Sequence, residues 1–212
     1  MIFCADNYSM KHGLKRFFLC RCTCVCGIVA AVLSVGACRT LSAPAPVISR
    51  TLAHPGVLTA RQLTQFFLAH NQNVSHALVR RLAAHYVSEA AAEGINSDVA
   101  FAQMCLETGW LRFGGLVTAD MHNYCGLGAI DASHPGERFA TEALGVRAHI
   151  QHLHAYGTTD ALHNALVDPR YRWVLPRGKA PTIYELSGTW AQDSTYGTKL
   201  DALLTRMETL TW

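Results

Sequence analysis

The chain has 212 residues, half of them apolar, which is the size of one domain with extra segments and enough to bury a sizeable core. Its 18 Lys and Arg exceed its 15 Asp and Glu, but Lys11, Lys15, Arg16, Arg21 and the lone acid Asp6 all precede Cys38; removing them leaves 14 of each sign. A neutral remainder excludes the electrostatic footprint of a nucleic-acid-binding protein.

The first segment reads as an address. Basic residues from Lys11 to Arg21 precede an uncharged apolar run, Cys22–Ala37, in the layout of a secretory signal. Six of the eight cysteines, Cys4, Cys20, Cys22, Cys24, Cys26 and Cys38, fall in this region. The Cys22-x-Cys24-x-Cys26 spacing runs straight into apolar sequence, where Cys acts as a small hydrophobe rather than a metal ligand. Val35-Gly36-Ala37-Cys38 resembles the bacterial lipobox, which implies cleavage before Cys38 and lipid on that residue. The expectation is a signal peptide over 1–37 and a lipidated Cys38 with a flexible tether over 38–58, begun by the Pro-containing Arg39–Pro46. The remainder, 59–212, would then be an exported domain anchored to a bacterial membrane.

The remainder is patterned for helices. Thr59 can cap a helix carrying Leu63, Phe66 and Phe67, and Ser75 a second with Leu78, Leu82 and Tyr86, ending near Gly94. Asn96-Ser97-Asp98 starts a third through Val99, Ala102 and Leu106, stopping around Gly109. From Arg112 to Arg138, Gly114, Gly115, Gly126, Gly128, Pro135 and Gly136 predict a loop or short hairpin. Its length makes it a functional suspect. Helical pattern resumes at Thr141, with Leu144, Ala148, Ile150 and Leu153. Pro169 and Pro176 mark turns around a short element, Thr182 is expected to begin a helix through Trp190, and a last helix runs from about Ser194 with Leu200, Leu203, Leu204 and Met207. The expected fold class is mainly α, with one glycine-rich excursion.

Glu107 is the candidate for chemistry. It ends the apolar run Val99–Leu106, just before Thr108-Gly109. Partial desolvation and the negative end of the helix dipole both favour its protonated form, which is what a departing glycosidic oxygen requires. An exposed Glu at a helix end is the plainer alternative.

The stretch Glu93–Gln103 with Leu106-Glu107-Thr108-Gly109-Trp110 resembles bacterial endo-β-N-acetylglucosaminidases, family 73 of the glycoside hydrolases. Four further blocks follow in that family's order: Asn123–Gly128, Gly145–Leu153, Val167–Tyr171 and Trp190–Leu200. The resemblance spans about residues 77–207. It implies a lysozyme-like, mainly α fold (α+β with its short lobe), Glu107 as general acid, and cleavage of peptidoglycan after N-acetylglucosamine toward N-acetylmuramic acid. It implies no cofactor and no metal. Tyr196, Asn123 and Tyr124 would border the cleft, and Trp110 and Trp190 would stack on sugar rings; the alternative is core packing for Tyr196, Trp110 and Trp190, and loop-fixing hydrogen bonds and packing for Asn123 and Tyr124. A second carboxylate has no firm match in the short segment after Gly128; Glu137, ahead of Asp131 and Asp120, is the candidate, with the substrate's own N-acetyl group as the alternative nucleophile. His149 and His152, at i, i+3 on a helix, lack acidic or cysteine partners at metal-site spacing. Cys105 and Cys125 either pair or remain two buried thiols. Two rival functions stand beside the hydrolase: a lytic transglycosylase on the same fold, and a lipid-tethered glycan-binding protein without catalysis.

Overall fold

The computed structural model describes residues 45–210. The expected signal peptide, Cys38 and the first part of the tether lie outside the described residues. Five helices and one small hairpin make up the fold: α1 (Ala60–Leu68), α2 (His76–Glu93), α3 (Ser97–Glu107), β1 (Ala129–Asp131), β2 (His134–Pro135), α4 (Glu142–Gly157) and α5 (Tyr196–Thr209). This is the mainly helical class that the sequence predicts. Among the described residues no helix is long and apolar enough to cross a membrane.

The caps predicted from sequence set the helix starts. Thr59 and Gln62 form a reciprocal capping box on α1. Ser75 caps α2, which ends at Gly94 in the left-handed conformation that glycine adopts without steric cost. Asn96 accepts from the amides of Asp98 and Val99 to open α3, and Thr141 accepts from Leu144 to open α4. Helix α3 is apolar nearly all round, and such a helix must be enclosed. It is: every residue from Ser97 to Cys105 is buried, with α1, α2, α4 and α5 packed around it. Glu107 is the residue at which this central helix reaches the surface.

Residues 48–58, placed in the tether by the sequence reading, pack onto the helices instead. Ile48, Leu52 and Leu58 are buried in the core. Asp98 accepts the backbone amides of Val57 and Leu58, while Arg50 bonds Asp201 and Glu208 of α5. The partners lie 40 or more residues away in sequence, so local composition carried no sign of them.

The helix expected from Thr182 to Trp190 does not form. The Thr182 amide does find Glu185, 2.9 Å away, as a helix start would, but the chain then turns at Ser187-Gly188 with Gly188 at φ +75°. Helix α5 takes up the adjacent space. A Cβ at Gly197 would sit 2.6 Å from the carbonyl oxygen of Ile183. The α5 backbone therefore lies against the 183–184 backbone, and a succession of turns delivers Trp190 to the site.

Candidate active site

The chain leaves α3 by an unusual turn. Gly109, Trp110, Leu111 and Phe113 all have positive φ, between 50° and 62°. Three of these are bulky L-residues, for which this region is costly, and such strain persists only where surroundings over-determine it. Thr108 supplies the fixation: its hydroxyl donates to the Met104 carbonyl and accepts from the Leu111 amide, and its carbonyl accepts from Arg112 and Phe113. Asn71 holds the Trp110 carbonyl at 2.8 Å. The turn throws residues 113–117 back across the end of α3. They face Asn123, Gly126 and Ala129 across a cavity of about 190 Å³ that has Glu107 in its lining.

Asn123 builds the opposite wall. Its buried amide donates to the carbonyls of Leu127 and Glu137, and its side-chain oxygen accepts from the Leu127 amide. One side chain thus ties the 123–128 turn to the far arm of the hairpin. A second, polar cavity of about 150 Å³ is lined by Gly126, Gly128, His152, Tyr156, Arg170 and Trp190, among others. The two cavities share Gly126, and Trp190 reaches from the second to the Glu107 carboxyl.

Glu107 is open to solvent along the cleft yet surrounded by protein on its other sides, as a group on a concave floor must be. That enclosure pushes its carboxyl above the ordinary range; hydrogen bonds from Tyr196 and Trp190 oppose the shift without cancelling it. Both donors act on the same oxygen. The Trp190 indole Nε1–H donates to Oε1 at 3.0 Å, and the Tyr196 hydroxyl donates to Oε1 as well. Behind Tyr196 stand Gln103, whose Nε2 donates to the phenol oxygen at 2.8 Å, and His149, whose Nε2 lies 2.9 Å from the Gln103 oxygen. Tyr86 completes the set, 2.8 Å from Nδ1 of His149.

Glu107, Asn123, Tyr196 and Trp190, four of the residues predicted from sequence, thus meet in one place. Tyr124 and Trp110 do not join them. The Tyr124 ring is buried in the core, its hydroxyl 3.5 Å from His122. Trp110 stacks on His70 at 4.1 Å and packs against Phe66 and Phe67, so it secures the positive-φ turn rather than the cleft. Of the three candidate second acids, Asp120 is held by Thr118 and Arg138, which pull its carboxyl down to about 2. Asp131 closes the β1–β2 turn through Ser133 and His134. Glu137 is half-buried, its carboxylate within about 3.0 Å of where a Cβ on Gly128 would be, and that carboxylate has no hydrogen-bond partner among the described residues. Cys105 and Cys125 are both buried, unpaired thiols. The ring nitrogens of His149 are occupied by Tyr86 and Gln103, while His152 binds the buried Asp168 at 2.7 Å.

No role at the site is read from sequence for Gln103, for His149, weighed there only as a metal ligand, or for Tyr86, named there only as a helix residue. The available signal was Gln103, the one amide in the apolar run of α3, a single turn before Glu107 and therefore on the same face.

A helical domain with one partly desolvated carboxyl lining a cleft has the build of a glycan-cleaving enzyme. Comparison with known proteins identifies the family. Residues 83–209 match the Glucosaminidase family, described as mannosyl-glycoprotein endo-beta-N-acetylglucosaminidase. The chain belongs to that family; it is a glycoside hydrolase whose substrate is a glycan. It is also similar to an uncharacterized protein of Borreliella burgdorferi, 40% identical over 149 residues that make up 70% of this chain and 72% of the relative.

Proposed function

We propose that this protein cleaves the β-1,4 bond between N-acetylglucosamine and N-acetylmuramic acid in peptidoglycan, with Glu107 as the general acid. The observation that carries the reading is the carboxyl itself: its enclosure raises its hold on a proton above that of an ordinary glutamate, and it is open on one side to a cleft. Glu107 gives that proton to the glycosidic oxygen as the bond to C1 breaks. Water adds to C1 and loses its own proton to a base. Glu137 is our candidate for that base, because Asp120 and Asp131 are already committed to other partners. Asn123 shapes one wall of the cleft, while Tyr196 and Trp190 hold the acid from the other side.

We further propose that the domain works outside the cytoplasm, held to a membrane by lipid on Cys38. The supporting features are the basic-then-apolar segment and the Val35–Cys38 motif.

The test is purified protein incubated with peptidoglycan, beside Glu107→Gln, with the products reduced and read by mass spectrometry. Wild-type fragments ending in reduced N-acetylglucosamine, missing from the variant, are the expected result. Anhydro-muramyl ends would instead identify a transglycosylase, and binding without products a noncatalytic glycan receptor. A Glu137→Gln variant with full activity would shift the second role to the substrate's N-acetyl group.

A further inference from the structure

The hydrogen bonds behind Glu107 form one unbroken chain through the core, Tyr86–His149–Gln103–Tyr196–Glu107, crossing from α2 to α4, α3 and α5 and back to α3. Tyr86, His149 and Gln103 are fully buried, and Tyr196 nearly so. Groups buried this far from bulk solvent depend on one another, so donors and acceptors must match along the chain.

That matching selects a direction. The Gln103 amide nitrogen only donates, and the Tyr196 oxygen receives it; the single phenol hydrogen is then directed to Glu107. The Gln103 oxygen only accepts, so His149 carries its hydrogen on Nε2. Nδ1 of His149 is then bare and takes the Tyr86 hydrogen. The opposite direction would put the Glu107 proton on Oε1, making that oxygen the weaker acceptor just where the donor-only indole N–H of Trp190 is aimed. A doubly protonated His149 would also break the sequence, because Tyr86 would then face a donor. Burial, with His152 nearby, holds the His149 imidazole down at about 3. The other titratable groups close to the chain are the buried thiols Cys105 and Cys125, Tyr124, and the His152–Asp168 pair.

We propose that Gln103, His149 and Tyr86 are positioning residues, a one-way hydrogen-bond chain that keeps the Tyr196 hydroxyl donating to Oε1 of Glu107. Oε1 is thereby saturated by two donors, and the transferable proton resides on Oε2, which has no partner among the described residues. The acid is presented with its proton already on the free oxygen. This inference rests on Glu107 as the general acid, and its first test stands apart from that reading.

The first test is ¹⁵N NMR of His149 in the wild-type protein, with histidines selectively labelled. The expected result is a neutral ring bearing hydrogen on Nε2, unchanged from pH 8 to pH 4. A hydrogen on Nδ1, or an imidazolium forming in that range, would overturn the proposal. The second test is Gln103→Met with steady-state kinetics against pH. A freed Tyr196 donates less well to the carboxylate, so the alkaline limb of kcat moves to higher pH and kcat falls on the order of tenfold with KM little changed. Tyr86→Phe should shift the same limb in the same direction by less. A folded Gln103→Met protein with wild-type kcat and an unmoved limb would refute the positioning role; should it not fold, the His149 tautomer decides. Full activity in Glu107→Gln would remove the general-acid reading, while the tautomer would still report whether the chain is oriented.

Discussion

Glu107 is held by two donors on one oxygen and by protein on most sides, and these contacts act in opposite directions on its charge. Enclosure has the larger effect, so the folded state prefers the protonated form. A carboxyl raised above its unfolded value adds stability that is fully present below about pH 4.5 and lost as pH rises through the folded value. At pH 7 the carboxylate therefore strains the fold, and a neutral isostere should relieve it. Glu107→Gln is expected to lose on the order of 10²–10⁴ in kcat while melting higher than wild type at pH 7. Below pH 4 the gain in Tm should vanish. Parallel calorimetry and turnover assays test both halves, and an unchanged or lower Tm at pH 7 would contradict the desolvation argument. Trp110 teaches a different lesson at the same scale. The family resemblance offered it as a sugar-stacking ring with core packing as the alternative, and packing is what the fold shows: its partners His70, Phe66 and Phe67 come from α1 and the residues just after it. Nothing in residues 107–110 named those partners.

At the scale of elements, the cleft depends on loops that are tied rather than packed. Asn123 bonds three backbone groups from one buried side chain; its removal orphans the Glu137 carbonyl and the Leu127 amide, while the Leu127 carbonyl keeps the Glu137 amide. Asn123→Ala is expected to cost about 1–3 kcal/mol of stability and to lower turnover even where the protein is fully folded. Urea unfolding and kinetics at low temperature separate the two effects. Helix α4 meets this region at Gly145, where an added Cβ would lie 1.8 Å from the His122 carbonyl oxygen. Gly145→Ala must push the 121–123 backbone away, at a cost of about 1–3 kcal/mol or more, and should disturb the Asn123 clamp in the same step. A Gly145→Ala protein with wild-type midpoint and activity would show that α4 can move aside. Glycine-rich composition correctly marked 112–138 as a loop and hairpin, because turns need those residues locally. The run from Thr182 failed as a helix for the opposite reason: its start was local and legible, but its end was imposed by α5.

The whole molecule has its own pH dependence. His149 is fully buried and neutral, pushed down to about 3 from an ordinary 6.5. Unfolding releases it to take up a proton. Its contribution is therefore complete above about pH 6.5 and lost as pH falls toward 3, at about 1.4 kcal/mol per pH unit for a single group. Unfolding free energies measured from pH 6 to pH 4 for wild type and His149→Gln should differ in slope by about that amount. Parallel slopes would mean that His149 is already accessible to protons in the folded state.

The sequence by itself determined what short-range physics determines. Caps at Thr59, Ser75, Asn96 and Thr141 began helices where expected, since capping is a bond between residues two or three apart. The largely apolar run of α3 marked a helix with little to offer solvent, and Glu107 at its end marked the candidate carboxyl. Tertiary structure alone decided which side chains hold that carboxyl, because Trp190 and Tyr196 arrive from 83 and 89 residues away and the chain behind them runs through four helices. It also decided that residues 48–58 pack rather than hang free, through Asp98 and α5. Hydrogen bonds and burial act over a few ångströms of space whatever the separation along the chain, so the neighbours that matter most to the site are those the order of residues does not display.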